Sequence, residues 1–439
     1  MSGSLVALLG FGGMLVLIAL RLHVGIAMFV TGCLGYVYLS SGSALFAFLK
    51  TNSYNLFASY TLSVIPLFIL MGALAEQSGL SQALFRAAVA FLGHIRGGLA
   101  MAVIAACTAF GAICGSSVAT TATFGRAALP ELLRYRYDGG FATGTIAVGG
   151  TLGILIPPSV ILVIYAITVE QNISKLFMAA FVPGLLATLF YLATIFLVTR
   201  RKPDLAPPHV SAQGAERRKH LKAVWPVLLV AILVVGGIYG GVFSPTEGAA
   251  VGTVALLAIG LAQRSLNWTT LRISILNTAA TTAMIFVILM GSEIFNAFLA
   301  LSQMPMQAAD YITSLGLPPY GVLAAILALY ILLGAVMDEL AMILLTLPVF
   351  FPIVSALDFG MQPDDLAIWF GILLLIVVGI GLTAPPIGLN VFVINAIAKT
   401  IPISRTYRGV LPFIAADIVR LALVMLFPGL ALWLVHLLT

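Results

Sequence analysis

The sequence predicts an all-α polytopic membrane protein made of two inverted repeats, each holding a re-entrant helical hairpin and a broken transmembrane helix. Three observations lead there. Of the 439 residues, 61% are hydrophobic and only 8% charged, far too apolar for a soluble domain of this size. Two pairs of short apolar arms are each followed by a long apolar segment that a Pro-Pro pair interrupts. The order of segments before residue 200 also returns after residue 222.

The first repeat, 1–199, opens with spans near 4–20, 24–40 and 61–76. The run from Leu5 to Leu20 has neither a basic leader nor an A-x-A-like cleavage site, so it reads as a retained span. Residues 98–134 form the first hairpin. Each arm falls short of the roughly 20 residues a bilayer requires, so the arms flanking Gly115-Ser116-Ser117 enter and leave on one side. The broken span covers 142–168. There Gly149-Gly150, Gly153 and Pro157-Pro158 predict unwinding in mid-membrane, because proline lacks an N–H and excludes a carbonyl of the preceding turn. A long span at 176–199 closes the repeat.

Residues 200–222, with seven Lys or Arg and three Pro, read as a cytoplasmic linker. The second repeat, 223–439, brings spans near 223–243, 246–262 and 278–299, a hairpin at 319–356, a broken span at 367–397 and a final span at 412–437. "ILMG" at Ile69–Gly72 recurs at Ile288–Gly291, and Pro157-Pro158 recurs as Pro385-Pro386, in the same order. Each half holds five crossings if its hairpin counts as none. An odd number inverts the second half, the repeat type associated with alternating-access carriers.

Loop charge agrees. With the linker inside, the cytoplasmic segments collect 17 of the 21 Lys and Arg, and both termini fall outside. The net charge of +6 is thus a matter of topology and calls for no nucleic acid. The mixed-polarity stretches 41–60, 77–97, 263–276 and 300–318 suit helices lying along the interface, arms by which a mobile core is carried within a static frame.

Groups for covalent chemistry are scarce. His23, His94, His209, His220 and His436 lie at span ends or in the linker, Cys33, Cys107 and Cys114 lie in apolar runs, and no base accompanies Ser116 or Ser117. This pattern predicts neither a metal centre nor an enzyme. The tip Gly115-Ser116-Ser117 facing an unwound Gly-Gly-Thr-x-Gly segment instead offers carbonyls and hydroxyls to a sodium ion, while half-helix N-termini attract an anion. Taken alone, the same tip is also what a tight helix–helix contact looks like.

A carboxylate at the bilayer centre costs about 2.5–3.5 kcal/mol, so each intramembrane acid is weighed. Asp338, in "GAVMDELAMILL" at the second tip, leads, with Glu339 solvating that turn. Glu247 and Glu293 read as caps or pairs within the scaffold. Arg126 either meets a substrate carboxylate or snorkels to the surface. Asp417 and Arg420, three apart, neutralise each other on one helical face.

In "GAICGSSVATTATFGRAALPEL", "GTIAVGGTLGILIPPSVILVIYAI", "FSPTEGAAVG" and "LTAPPIGLNVFVI" the chain resembles the large membrane subunit, the DctM type, of tripartite ATP-independent periplasmic (TRAP) transporters. The similarity in span order covers essentially the whole chain. This resemblance implies an elevator-type secondary transporter of the bacterial inner membrane that takes up a small carboxylate with sodium and needs no cofactor beyond the coupling ions. It implies two partners, a periplasmic substrate-binding protein and a small four-helix membrane subunit; because the chain begins almost at the first span, the small subunit is expected as a separate chain. Residue by residue, it implies sodium at Gly115, Ser117, Gly150 and Thr151, and a symmetry-related sodium near Asp338, Gly381 and Thr383. Substrate contact falls to Ser116, Ser159 and Asp338. A proton-coupled carrier of the same fold is the alternative, with a channel or an intramembrane enzyme behind it; the few intramembrane carboxylates speak against a proton relay.

Overall fold

A computed structural model describes residues 2–208 and 214–438. The middle of the predicted linker, 209–213, and the two terminal residues, on which the expected outward termini fall, lie outside the described residues. Every regular element among the described residues is helical. In chain order the first repeat gives α1 (Gly3–Ala19), α2 (Val24–Leu39), α3 (Gly42–Ala58), α4 (Val64–Gln77) and α5 (Leu80–Leu92). The hairpin follows as α6 (Gly98–Cys114) and α7 (Ser117–Arg134), the broken span as α8 (Gly139–Leu155) and α9 (Val160–Thr168), and the long span as α10 (Ile173–Arg201).

The described end of the linker folds as α11 (Gly214–Ala223), and the second repeat begins with α12 (Trp225–Ala231), which a π-helical turn joins to α13 (Gly237–Tyr239). Then come α14 (Pro245–Ala262), α15 (Trp268–Ser302) and α16 (Met304–Ser314). Its hairpin is α17 (Pro319–Gly334) and α18 (Glu339–Ser355), and its broken span α19 (Pro363–Gly381) and α20 (Leu389–Ile397). The chain closes with α21 (Ile403–Leu426) and α22 (Gly429–Leu438). By length and composition, α10, α14, α15, α19 and α21 can each cross a membrane, and α8 with α9, bent by 46°, passes the same test as one broken span.

Three expectations need correction. Gly149, Gly150 and Gly153 are not unwound: α8 continues through them, and its last bond runs from Ile156 N–H to the Leu152 carbonyl. The break falls at Ile156–Ser159, where two successive prolines supply no N–H to the turn before. Residues 263–276 are not a separate interfacial helix, since α15 runs unbroken from Trp268 to Ser302. The last span begins at Ile403 and is interrupted at Phe427-Pro428, so it is two helices.

The chain divides into two compact units. The first comprises Met1–Ser63, Ala279–Leu329 and Met337–Ala367. Its core is a seam of small residues that lets backbones approach. A Cβ on Gly25 would lie 2.8 Å from the Ile288 Cα, and one on Gly32 would lie 2.8 Å from the Phe295 nitrogen. Around that seam Ala27, Met28, Phe295, Phe298 and Leu345 pack together. Glu293 on α15 accepts a hydrogen bond from Asn52 on α3 (3.1 Å), the scaffold pairing expected of it.

The second unit comprises Val64–Thr278, Tyr330–Val336 and Ile368–Thr439. Here α8 is its most enclosed helix: sixteen of its seventeen residues are buried, so it reads as the axis on which the neighbouring helices are assembled. Asp138 caps it by accepting from the Phe141 N–H. Along one side Gly140 and Gly144 meet Gly409 of α21 backbone to backbone, Thr143 bonds Thr406 at 2.8 Å, and the rings of Phe141 and Phe413 stack. Along another side Gly149, Gly150 and Gly153 receive the first hairpin.

Candidate functional site

The hairpin tip is narrower than its motif. Gly115 takes a left-handed conformation (φ +63°) that ends α6, Ser116 is extended and caps α7 through the Ala119 N–H, and Ser117 is already the first helical residue. Phe110 and Phe124 meet edge to face at 5.6 Å, so the two arms fold back on each other.

The tip is seated on the broken helix. A Cβ at Gly115 would lie 2.9 Å from the Pro158 carbonyl oxygen. One at Gly153 would lie 2.6 Å from the Ser116 carbonyl oxygen, and one at Gly150 would overlap Thr121 Oγ1 and reach 3.0 Å from the Ser117 carbonyl oxygen. The glycines of α8 therefore buy close approach, not unwinding. Gly115, Ser116, Ser117, Gly150 and Ser159 lie along this packing of the tip on α8 and its break. Ser159 is fully buried just before α9, and its Oγ has no hydrogen-bond partner among the described residues.

Asn390 of α20 enters this cluster, and the sequence reading missed it. Its Nδ2 donates to Ser117 Oγ at 2.6 Å and to the Ala147 carbonyl of α8 at 3.0 Å. Its Oδ1 and the neighbouring Thr121 Oγ1 are buried without a hydrogen-bond partner. Buried polar atoms nearly always have partners, so an unpartnered oxygen calls for an explanation. Two such oxygens on residues that touch the same tip make a setting for a cation that needs no carboxylate.

The second repeat presents a counterpart. A Cβ at Gly381 would lie 2.7 Å from the Gly334 Cα at the second tip, and the Ala335 carbonyl accepts from the N–H groups of Ile387 and Gly388, both at 3.2 Å. The Asn390 N–H reaches back across the break to the Leu382 carbonyl at 3.0 Å. Thr383 is buried and turns its hydroxyl to the Ile380 carbonyl. Both proline pairs, Pro157-Pro158 and Pro385-Pro386, have cis peptide bonds.

Thr151 is buried next to Gly150, but its hydroxyl is engaged by the Val148 carbonyl (2.7 Å) and by the Tyr191 hydroxyl (3.2 Å). Arg126, with its side chain 59% exposed, is paired with Glu76 of α4. Glu247 forms a capping box with Ser244 at the start of α14, and Asp417 pairs with Arg420 at 2.7 Å, as their spacing suggested.

Asp338 and Glu339 belong to the first unit. Asp338 is exposed, and its carboxylate caps α18 by accepting from the Leu340 and Ala341 N–H groups. Glu339, expected only to solvate the turn, is the buried one of the two, and its Oε2 has no partner among the described residues.

An all-helical chain of apolar spans, in which helix interruptions meet hairpin tips amid buried hydroxyls and amides, is a polytopic membrane transport protein. The chain belongs to the family described as the DctM component of the tripartite ATP-independent periplasmic transporter, whose model matches residues 11–430. It is 38% identical over 376 residues to the C4-dicarboxylate TRAP transporter large permease protein DctM of Pseudomonas aeruginosa, covering 85% of this chain and 86% of that one. It is 33% identical over 373 residues to the sialic acid TRAP transporter large permease protein SiaM of Vibrio cholerae, covering 84% of this chain and 85% of that one. The crystal structure of the YdaH transporter of Alcanivorax borkumensis has the same fold, with a TM-score of 0.61 at 17% identity over 89% of this chain and 90% of that chain.

Proposed function

We propose that the chain is the permease of a sodium-coupled secondary transporter that imports a small organic acid anion. The observation that carries this reading is the set of buried oxygens beside the first tip, where it packs against Ala147 and Gly150 of α8: Ser117 Oγ, Thr121 Oγ1 and Asn390 Oδ1, with the Ser117 carbonyl alongside. These are neutral oxygen donors, the kind that discontinuous helices offer a coupling cation. Gly115, Ser117, Gly150 and Thr151 form the backbone frame of one cation site, and Gly381 and Thr383 contribute to a second. Ser116 and Ser159 face the substrate. The relatives named for C4-dicarboxylates and sialic acid have carboxylates in common, which favours a carboxylate here.

Delivery by a periplasmic binding protein and assembly with a small membrane subunit follow from membership in a tripartite family. The repeated order of hairpin then broken helix supports two inverted repeats, 1–199 and 223–439, joined by a cytoplasmic linker at 200–222, with both termini periplasmic by the distribution of Lys and Arg. Inverted repeats with tip-and-break sites suit an elevator motion.

Glu339 favours one second reading, a proton-coupled carrier, because it is a buried carboxyl with an unpartnered oxygen at the second tip. Proteoliposomes holding the chain and its partners, loaded with radiolabelled carboxylates, separate the two. The sodium reading expects uptake from a sodium gradient at equal pH in the wild type and in Glu339→Gln. Uptake driven by a pH gradient without sodium, and lost in Glu339→Gln, would overturn it.

A further inference from the structure

Arg420 is wholly buried on α21, and so are Asp417 one turn earlier and Tyr191 of α10. The Tyr191 hydroxyl donates to Asp417 Oδ2 at 2.7 Å, and Asp417 Oδ1 lies 2.7 Å from Arg420 Nη2. The arginine's Nε and Nη1 have no acceptor among the described residues. Burying such a pair removes two charges from water, and well-packed apolar residues would often serve stability as well or better. The seam between α8 and α21 is already held by the glycine contacts and the Thr143–Thr406 bond. Packing alone therefore does not account for these three residues.

The chain of contacts ends at Thr151. A phenol has one proton, and Tyr191 gives it to Asp417; Thr151 also has one, which it shares between the Val148 carbonyl at 2.7 Å and the Tyr191 oxygen at 3.2 Å. Thr151 follows Gly150, which abuts Ser117 and Thr121, and it precedes Gly153, which abuts Ser116. On its other side it meets α19: a Cβ at Gly379 would lie 3.6 Å from the Thr151 Cβ, two residues before Gly381. Rotation of α8 by a few degrees would move the glycine face under the tip and the contact with α19 together.

We propose that Tyr191, Asp417 and Arg420 form a positioning network that sets the rotation of α8 through Thr151, and thereby the affinity of the cation site. None of the three touches the ion. Arg420 pairs with Asp417 and holds it in place, Asp417 fixes the Tyr191 hydroxyl, and Tyr191 fixes Thr151. The proposal rests on the sodium reading above.

The test is binding of radioactive sodium to the purified full-length chain, with thermal unfolding and folded yield measured on the same samples. Tyr191→Phe keeps the ring and removes the hydroxyl; it should weaken sodium binding about fivefold, the size of one hydrogen bond, at wild-type yield and unfolding temperature. Asp417→Asn alone leaves Arg420 buried without a counter-charge and should lower the yield. Asp417→Asn with Arg420→Gln keeps an acceptor for Tyr191 without charge, and should restore both yield and sodium affinity. Asp417→Leu with Arg420→Met removes that acceptor and should restore yield but not affinity. An unchanged sodium curve in Tyr191→Phe, or equal affinity in the two double variants, would overturn the network. Absence of sodium binding in the wild type would instead overturn the sodium reading.

Discussion

Asn390 donates from Nδ2 to Ser117 Oγ at 2.6 Å, tying the helix after the second proline pair to the first helical residue beyond the first hairpin tip. The two repeats thus share one buried contact at the candidate cation site. Asn390→Ala removes that bond and the one to the Ala147 carbonyl, and leaves both partners buried. We expect a loss of about 1–3 kcal/mol in stability, since unmade buried bonds carry the full desolvation cost. Sodium activation of uptake should shift to higher concentration, whereas Asn296→Ala, which removes only a bond to Ser292 Oγ (3.3 Å) on α15 of the first unit, should leave it unchanged. Sodium titration of uptake in proteoliposomes checks this.

The glycines of α8 should be intolerant for a steric reason. Gly153→Ala would set a methyl 2.6 Å from the Ser116 carbonyl oxygen, a backbone atom that cannot turn aside. We expect a destabilisation of about 1–3 kcal/mol, as for other overpacked sites, and loss of transport. Gly379→Ala, whose methyl would sit 3.6 Å from Thr151, should be neutral or mildly stabilising through helix propensity. Unfolding temperatures of the two variants decide the matter.

The spans and both hairpins are legible in the sequence because apolar length and proline position are local signals. Residues 157–158 show it well: two missing N–H groups dictate a break wherever the chain folds. The glycines before them mislead, since a glycine that frees the backbone and one that admits a neighbour look alike until the neighbour is known. Asn390 carries no local signal at all. Its partner Ser117 is 273 residues away, and only the tertiary fold brings them together. Tyr191 likewise reads as one more aromatic in an apolar run. The inversion of Asp338 and Glu339 had an available sign: Asp directly before an apolar helical run is a favoured N-cap, which draws its carboxylate into backbone bonds.

Uptake should be electrogenic. Each positive charge moving inward at 100 mV gains about 2.3 kcal/mol, and each negative charge loses as much. Two sodium ions with a monoanion, or three with a dianion, move one net charge and concentrate substrate roughly fiftyfold from voltage alone at about 1.4 kcal/mol per decade. An inside-negative potassium diffusion potential should raise the initial rate at fixed sodium and substrate gradients. A rate that ignores the potential would mark an electroneutral cycle.

The central claim is that cations held where the first tip packs against α8 drive the carboxylate inward, and co-entry of radioactive sodium tests it most directly. Sodium and carboxylate entry would be followed together in proteoliposomes containing the chain and both partners, at equal pH on the two sides. The account predicts sodium entering in fixed proportion to the carboxylate, with both fluxes falling together in Asn390→Ala. Carboxylate accumulating with no accompanying sodium would contradict it.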